Sequence, residues 1–426
     1  MQIIKYPLQN EWAQLIKRPL SEKLDMADLV KTIFDDVIKS GDKALIKYTN
    51  SFDKVNLKSI QVTQLAIDNA ASQLLPELKN AIEVAKNNIT QFHKAQLPTI
   101  EKIETTKGVI CWREYRPIQK VGIYIPGGTA PLFSSLLMLG IPATLAGCTE
   151  IIICTPPDAN GQINPAILYT AALLGITKIY TVGGIQAIAA MTFGTATIPK
   201  VFKIFGPGNQ YVTAAKQLAQ NYGLAIDMPA GPSEVLIIAD ESSNPIFVAA
   251  DLLSQAEHGV DSQTILLSNS EIVIKNTVKQ LKLQLNQLPR KDIATTAISH
   301  SKAILMQSID ECIALSNDYA PEHLILALKN TNNWLPLIAN AGSVFLGNYS
   351  CEAAGDYATG TNHTLPTNGF AKNYSGVSID SFVKKITVQK VSEQGLINIA
   401  PTVIAMADTE GLWAHKNAVS VRLNKP

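Results

Sequence analysis

The chain has 426 residues, 46% of them apolar, and a formal net charge of +1. That length exceeds what one small core serves and predicts two or more domains. A near-zero charge, with no basic stripe interleaved with aromatics, argues against nucleic acid or an anionic membrane surface as a partner.

The first residues, 1–6, lack an apolar run of signal-peptide length. The five cysteines (Cys111, Cys148, Cys154, Cys312, Cys351) form no CxxC pair. That points to a reducing, cytoplasmic setting and away from a disulfide framework or a thiolate zinc site. Residues 1 to about 100 read as helical and polar. Leu29, Ile33 and Val37 recur every fourth residue, Ser40-Gly41-Asp42 punctuates, and a further helical pattern covers 75–93. His93 there reads as structural. The most apolar run, 130–146, is broken by Pro131, Gly140 and Pro142 and is too short to cross a bilayer.

From Lys120 strand and helix alternate. Strands are predicted at 121–125, 151–154, 178–182 and 201–205, with helices from about 130 and over 164–174, 185–191 and 211–220. Residues 233–347 repeat the alternation. They hold strands 235–239, 264–267, 324–328 and 343–346, a helix from Asn244-Pro245, a long amphipathic helix to about 288, and a helix over 334–339. Short, nearly continuous apolar strands between helices predict parallel sheets covered on both faces. The expected fold is α/β, with two Rossmann-like parallel-sheet domains plus small N- and C-terminal units. Ligands of such sheets bind at the carboxyl ends of the strands. Three Gly-rich turns lie there: Pro126-Gly127-Gly128, Gly183-Gly184 and Gly206-Pro207-Gly208-Asn209. Each puts bare backbone N–H groups beside a helix start, which suits phosphate, although tight turns need glycine for backbone reasons alone. None is GxGxxG followed by an acid, so the usual dinucleotide fingerprint is absent. Beyond about 348 the chain is dense in Gly, Thr, Asn and acids, which predicts surface loops. Residues 410–417 read as helical, in a small third unit.

The chemistry-bearing residues are scattered. The helix opened by Asn244-Pro245 has an apolar face of Ile246, Ala249, Ala250 and Leu253, and Gly259 is expected to stop it. Gln255 and His258 share its last turn. With Glu257 and Asp261 nearby they could hold a metal or a polar substrate, or be a solvated helix end. Glu322-His323 follows Pro321 at the start of a strand and could move protons. Neighbours in a regular strand point to opposite faces, so both serve one site only if the backbone is irregular, which Pro321 permits. Otherwise the pair opens the strand in solvent. Asp356, His363, Glu410 and His415 are zinc-compatible donors. With neither HExxH nor paired cysteines, any metal would be held by residues far apart in sequence.

Eight segments in order give these residues a context. They are Val121-Gly122-Ile123-Tyr124-Ile125-Pro126-Gly127-Gly128, Gly183-Gly184-Ile185-Gln186-Ala187-Ile188-Ala189, Gly206-Pro207-Gly208-Asn209, Gly231-Pro232-Ser233-Glu234, Ser254-Gln255-Ala256-Glu257-His258-Gly259, Ala320-Pro321-Glu322-His323-Leu324, Ala354-Gly355-Asp356-Tyr357 through Leu365-Pro366-Thr367, and Ala414-His415-Lys416-Asn417-Ala418. From about residue 120 to its end the chain resembles the histidinol dehydrogenase family. The resemblance implies oxidation of L-histidinol to L-histidine with NAD, the last step of histidine biosynthesis. It implies one zinc per subunit bound by Gln255, His258, Asp356 and His415, which also hold the substrate together with Ser233, His323 and Glu410. Glu322 and His323 would be the acid–base pair, and Tyr124, Gln186 and Asn209 would contact NAD. It further implies a homodimer with shared active sites, Glu410 and His415 acting on the partner's site. The corresponding division of the chain is an N-terminal segment expected to pack with the tail (1–19), a discontinuous α/β domain on the metal and substrate side (20–103 and 232–372), a second α/β domain on the NAD side (104–231) and a small C-terminal unit reaching the partner subunit (373–426).

Three rivals remain at this stage. A cysteine, Cys111 or Cys148, could trap the aldehyde as a thiohemiacetal, though neither has a His or Lys beside it in sequence to lower its pKa. The chain could be a zinc-dependent module that binds an imidazole compound without turnover. It could also be a metal-free structural α/β protein.

Overall fold

The computed structural model describes residues 1–18, 26–127, 131–229 and 231–423. The Gly128 corner, the expected helix start near 130, the 19/20 boundary and the last residues of the tail lie outside them.

Two parallel sheets carry the architecture. One has six strands in the spatial order Gln2–Lys5, Lys302–Leu305, Gln263–Ser268, Glu234–Ala239, His323–Ala327, Ser343–Leu346. Its three central strands, Gln263–Ser268, Glu234–Ala239 and His323–Ala327, are buried at every residue, because helices cover both faces and continuous apolar runs are what such a sheet needs. The other sheet has five strands in the order Lys178–Thr181, Glu150–Thr155, Lys120–Tyr124, Lys203–Phe205, Ala225–Ile226. The apolar run read from the sequence is the buried helix Phe133–Ala146, with Pro142 inside it. Among the described residues no helix is long and apolar enough to cross a membrane.

In both sheets the strand order reverses once. In the five-stranded sheet the reversal falls between Lys120–Tyr124 and Lys203–Phe205, and in the six-stranded sheet between Glu234–Ala239 and His323–Ala327. Such a switch point opens a crevice. Gly206 seals the first one. Its φ is +130°, and a Cβ there would run into the Tyr124 carbonyl, so only glycine fits.

Several elements differ from expectation. Gln2–Lys5 adds a strand to the edge of the six-stranded sheet. A third, antiparallel sheet joins Val383–Val391, Val109–Pro117 and Lys102–Thr106, far apart in sequence. The helix expected over 334–339 is only two short 3-10 turns, Thr331–Asn333 and Leu335–Leu337. The Asn317 side chain takes the N–H groups of Ala339 and Asn340, so they do not extend a helix. The stretch after 348 is not a surface loop. It contains the helix Glu352–Tyr357 and buries Glu352, Asn362, Thr364 and Thr367. Helices Ala27–Ser40 and Asp42–Asp53 share one core with Tyr124, Ile152 and Ile188 of the five-stranded side, whereas the sequence places their stretch with 232–372.

Candidate functional site

A cavity of about 1620 Å³ lies between the two sheets. The five-stranded sheet meets it with a carboxyl edge, through Pro207, Gly208 and Asn209. The six-stranded sheet meets it with the opposite, amino edge, through Ser233 before one strand and Glu322-His323 at the start of the next. For this sheet the carboxyl-edge expectation fails for a topological reason. The helix Pro245–Ala256 returns antiparallel to its strand, so its last turn reaches the amino edge again and brings Gln255 and His258 there.

Asn244 caps that helix, its Oδ1 accepting from the Ile246 N–H at 3.0 Å, with Pro245 in the first position. Val248, Ala249, Leu252, Leu253 and Ala256 fix its inward face. The helix stops at Ala256, slightly before the expected Gly259. Gln255 is fully buried at 0% exposure, yet neither its Oε1 nor its Nε2 has a hydrogen-bond partner. An unmade buried amide costs about 1–3 kcal/mol, so this side chain is poised for a ligand. His258 edges on the cavity, but the surrounding protein desolvates it and lowers its pKa, favouring neutral imidazole.

Glu352 and Asp356 stand one turn apart on the helix Glu352–Tyr357. The donor atoms of His258, Glu352 and Asp356 all lie within 4.8 Å of one another. Burial opposes the Asp356 carboxylate, but His323 and the His363 and His258 rings hold its pKa below the ordinary value. His363 is already committed. Its Nδ1–H donates to the Asp356 carbonyl at 2.8 Å, and its Nε2 meets the Ser135 hydroxyl at 3.1 Å. Amide oxygen, neutral imidazole and carboxylate around unpartnered buried atoms form a donor set that fits zinc.

Glu322 and His323 do face one site. Ala320, at φ +53°, is the left-handed C-cap that ends the helix Ile309–Tyr319, and the regular strand begins only at His323, so Glu322 lies outside it. His323 Nδ1–H donates to the Glu234 carbonyl at 3.3 Å, its Nε2 lies 3.5 Å from Asp356 Oδ1, and Glu322 Oε2 is 3.7 Å from Nδ1. Glu322 Oε2 accepts from the Glu234 N–H at 2.9 Å. Burial pushes Glu322 up to about 7, where a carboxyl can exchange protons at neutral pH. Burial disfavours the His323 imidazolium, but Glu322, Glu352 and Asp356 outweigh it and pull His323 up to about 10.

Glu234 anchors this edge. Its carboxylate, 2% exposed, takes both Nε and Nη2 of Arg18 and the Asn368 N–H. Arg18 also donates to the Tyr319 carbonyl at 2.9 Å and lies 4.0 Å from the Tyr319 ring centroid. Neither Arg18 nor Glu352 was flagged by the sequence. Glu352 carried a usable signal, the four-residue spacing to Asp356 on one helical face. Arg18 carried none.

The remaining candidates are spread out. Asn209 lines the cavity and caps the helix Gln210–Gln220, accepting from Tyr211 and Val212 N–H groups at 3.1 Å each. Behind it Lys216 pairs with Asp227 and donates to the Gly206 carbonyl at 2.8 Å. Tyr124 and Gln186 are buried and do not line the cavity. The Tyr124 hydroxyl accepts from the Gly184 N–H at 3.0 Å, and Gln186 Oε1 has no partner. Ser233 lines the cavity, whereas Glu410 and His415 are exposed on the tail and do not. Cys111 and Cys148 also lie outside the lining, and burial pushes the Cys148 thiol up to about 12, the wrong direction for a nucleophile.

Residues 16–423 match the family described as histidinol dehydrogenase. The histidinol dehydrogenase of Bacteroides thetaiotaomicron is 55% identical over 424 residues, covering 100% of this chain and 99% of that protein. That of Vibrio parahaemolyticus is 51% identical, covering 96% of this chain and 95% of the other. The crystal structure of histidinol dehydrogenase from Elizabethkingia anophelis superposes with a TM-score of 0.98 at 62% identity, covering 99% of this chain and 98% of that one.

Proposed function

This chain belongs to the histidinol dehydrogenase family of histidine-biosynthetic oxidoreductases, and on that premise we propose that it oxidises L-histidinol to L-histidine through the aldehyde, using NAD and a zinc ion. The observation that carries the reading is that Glu322 and His323 line one cavity with His258, Asp356 and the buried, unpartnered amide of Gln255.

Taking the alcohol to the acid removes two hydrides, both passed to NAD, and adds one water. His323 takes the hydroxyl proton in the first oxidation. Glu322, poised near neutrality, deprotonates the water that hydrates the aldehyde, and the hydrate loses the second hydride. Zinc, when bound to Gln255, His258, Asp356 and His415, would hold the substrate through its imidazole and amino nitrogens and position it. His323 can act as a base only when neutral. A cation held by Asp356 would offset part of the negative charge that now favours the imidazolium and so move the ring toward the range of a working base. Ser233 and Glu410 contact the substrate. Asn209, with Tyr124 and Gln186 behind the Gly-rich turns, serves NAD. In this reading the enzyme is a cytoplasmic homodimer, and Glu410 and His415 reach the partner's site, in keeping with their exposure outside their own chain's cavity.

The test is stoichiometry. Each histidinol consumed should yield about two NADH at 340 nm, as a four-electron oxidation demands, and the dialysed protein should retain zinc by elemental analysis. Binding of histidinol without NADH would turn the reading to a binding module, and one NADH per substrate would end it at the aldehyde. For the shared site, Glu322→Ala and His415→Ala would be unfolded and refolded together. Random pairing makes half the dimers mixed, each with one intact site, so roughly a quarter of wild-type activity should return. No return, with wild type refolding well, would place His415 in its own chain's site.

A further inference from the structure

We infer that Asp53 fixes the choice of dinucleotide: its carboxylate accepts from the ribose hydroxyls at the adenosine end of NAD and turns away the 2′-phosphate of NADP. The inference rests on the NAD-dependent reading above and deepens it.

The carboxyl edge of the five-stranded sheet is where Asp53 stands. It is the last residue of the helix Asp42–Asp53, and the chain beyond it crosses that edge. Val55 packs on Gly161, in the turn after the strand Glu150–Thr155. The Ile60 carbonyl then accepts from the Thr181 N–H at 2.8 Å, and the Val62 N–H donates to the Ile179 carbonyl at 2.9 Å. Tyr124 ends the strand Lys120–Tyr124 at the same edge. Burial raises its hydroxyl to about 12, and the Asp53 charge pushes in the same direction. That hydroxyl accepts from the Gly184 N–H, and Gln186 Oε1 folds back over Gly184. Like Tyr124 and Gln186, Asp53 is outside the cavity lining, so the end of the dinucleotide it serves is the one remote from Glu322-His323.

Among the described residues nothing holds the inner oxygen of this carboxylate. A negative charge in the last turn of a helix meets the negative end of the macrodipole. Asp53 Oδ2 is buried without a hydrogen-bond partner. Lys54, next in the chain, gives its ammonium to the Ser51 carbonyl at 2.7 Å. Burial raises the Asp53 pKa and no cation brings it down. A buried carboxylate that serves structure is held by donors, so this one awaits donors from a ligand. Gln186 Oε1 is in the same state, on a side chain 1% exposed. Two acceptors without donors select O–H groups, and a vicinal diol supplies them.

An acid is also what a sheet of this kind needs there. In doubly wound folds an acidic side chain takes the ribose 2′-hydroxyl. The strand next to Lys120–Tyr124 that would carry it is Glu150–Thr155, which runs out into Pro156-Pro157. The first acid beyond, Asp158, spends its Oδ1 on the Asn160 and Gln162 N–H groups at 2.8 Å each. Asp53 takes that role from a helix outside the sheet, which is why no local fingerprint announces it. A 2′-phosphate would set a second anion against it with no cation paired to either.

The test is cofactor affinity. NADH and NADPH are titrated by fluorescence into full-length wild type, Asp53→Asn and Gln186→Ala. Wild type should bind NADH about 100-fold more tightly than NADPH, or better. Asp53→Asn should weaken NADH about tenfold and bring the ratio below about 10, since a hydrogen bond to a charged group is worth roughly one to two factors of ten. An unchanged ratio in Asp53→Asn, or a wild type that binds the two alike, overturns the inference. If Gln186→Ala weakens NADH in the same series, the NAD-dependent reading survives that result. A wild type that binds neither dinucleotide overturns the reading itself. If Asp53→Asn does not fold, 2′-deoxy-NAD decides on wild type alone. Competing against NADH, it should bind about tenfold more weakly than NAD, and equal affinity refutes the inference.

Discussion

Arg18→Met should cost the protein about 3 kcal/mol and slow turnover as well. Arg18 gives two N–H groups to the Glu234 carboxylate and one to the Tyr319 carbonyl, and sits 4.0 Å from the Tyr319 ring centroid. Glu234 is 2% exposed and Arg18 20%. Removing one member of a buried pair costs ~3–5 kcal/mol, because the other charge stays buried alone. Water at the Arg18 edge moves the expectation to the low end, about 3 kcal/mol. Glu234→Gln leaves the better-solvated partner unpaired and should cost less, about 1.5 kcal/mol. The double variant should then reveal a coupling of about 2 kcal/mol. Urea unfolding followed by both tryptophan fluorescence and circular dichroism gives these values wherever the two transitions coincide. Turnover follows because the Glu234 N–H holds Glu322 and its carbonyl holds His323. We expect kcat to fall about tenfold, with KM for histidinol little changed, from misplacement of the pair. A coupling below about 0.5 kcal/mol, typical of an exposed ion pair, would refute the stability argument. A destabilised variant with unchanged kcat would refute the positioning argument.

Glu322→Gln should lower kcat by ~10²–10⁴-fold in the 340 nm assay, and a loss under tenfold would remove Glu322 from the chemistry. Lys216→Met leaves Asp227 buried without its cation beside the Gly206 turn. It should cost ~3–5 kcal/mol and weaken NAD binding, measured by fluorescence titration of NADH. Unchanged NADH affinity would detach that turn from the cofactor. His93 is fully buried between Gln96 and Asn362, and burial holds its pKa below the ordinary 6.5. The unfolded chain takes up this proton first, so the His93 contribution is complete above pH ~6.5 and is lost as pH falls below it, by up to ~1.4 kcal/mol per pH unit. His93→Gln should flatten that acid slope, and an identical slope in the variant would clear His93 of the effect.

The α/β alternation was legible because buried parallel strands write themselves as apolar runs, as in Glu234–Ala239 and Gln263–Ser268. The antiparallel sheet was not. Its strands Val109–Pro117 and Val383–Val391 are half exposed and mixed in composition, and their pairing spans most of the chain. The helix Glu352–Tyr357 hid for another reason: its six residues carry no periodic apolar face, and burial there serves polar groups. In the site, Gln255 and His258 could be paired from helical spacing. That Asp356 would join them depends on two segments about a hundred residues apart meeting at one sheet edge, which no local pattern states. Glu322 and His323 were readable as chemistry but not as one site, since the regular strand begins only at His323 and leaves Glu322 just outside it, a boundary that no side-chain pattern marks.

The opposite sheet edges that frame the cavity also give it an electrical polarity. The helix Gln210–Gln220 begins there, at Asn209, while the helix Pro245–Ala256 ends there, beside Gln255 and His258. Aligned peptide dipoles leave about half a positive charge at the first and half a negative charge at the second, worth ~0.3–1 kcal/mol to a matching ion at each. One chamber therefore prefers an anion at one wall and a cation at the other. A ligand pair of a pyrophosphate and a metal-held imidazole would be sorted to the correct walls by the backbone, before any side chain discriminates between them.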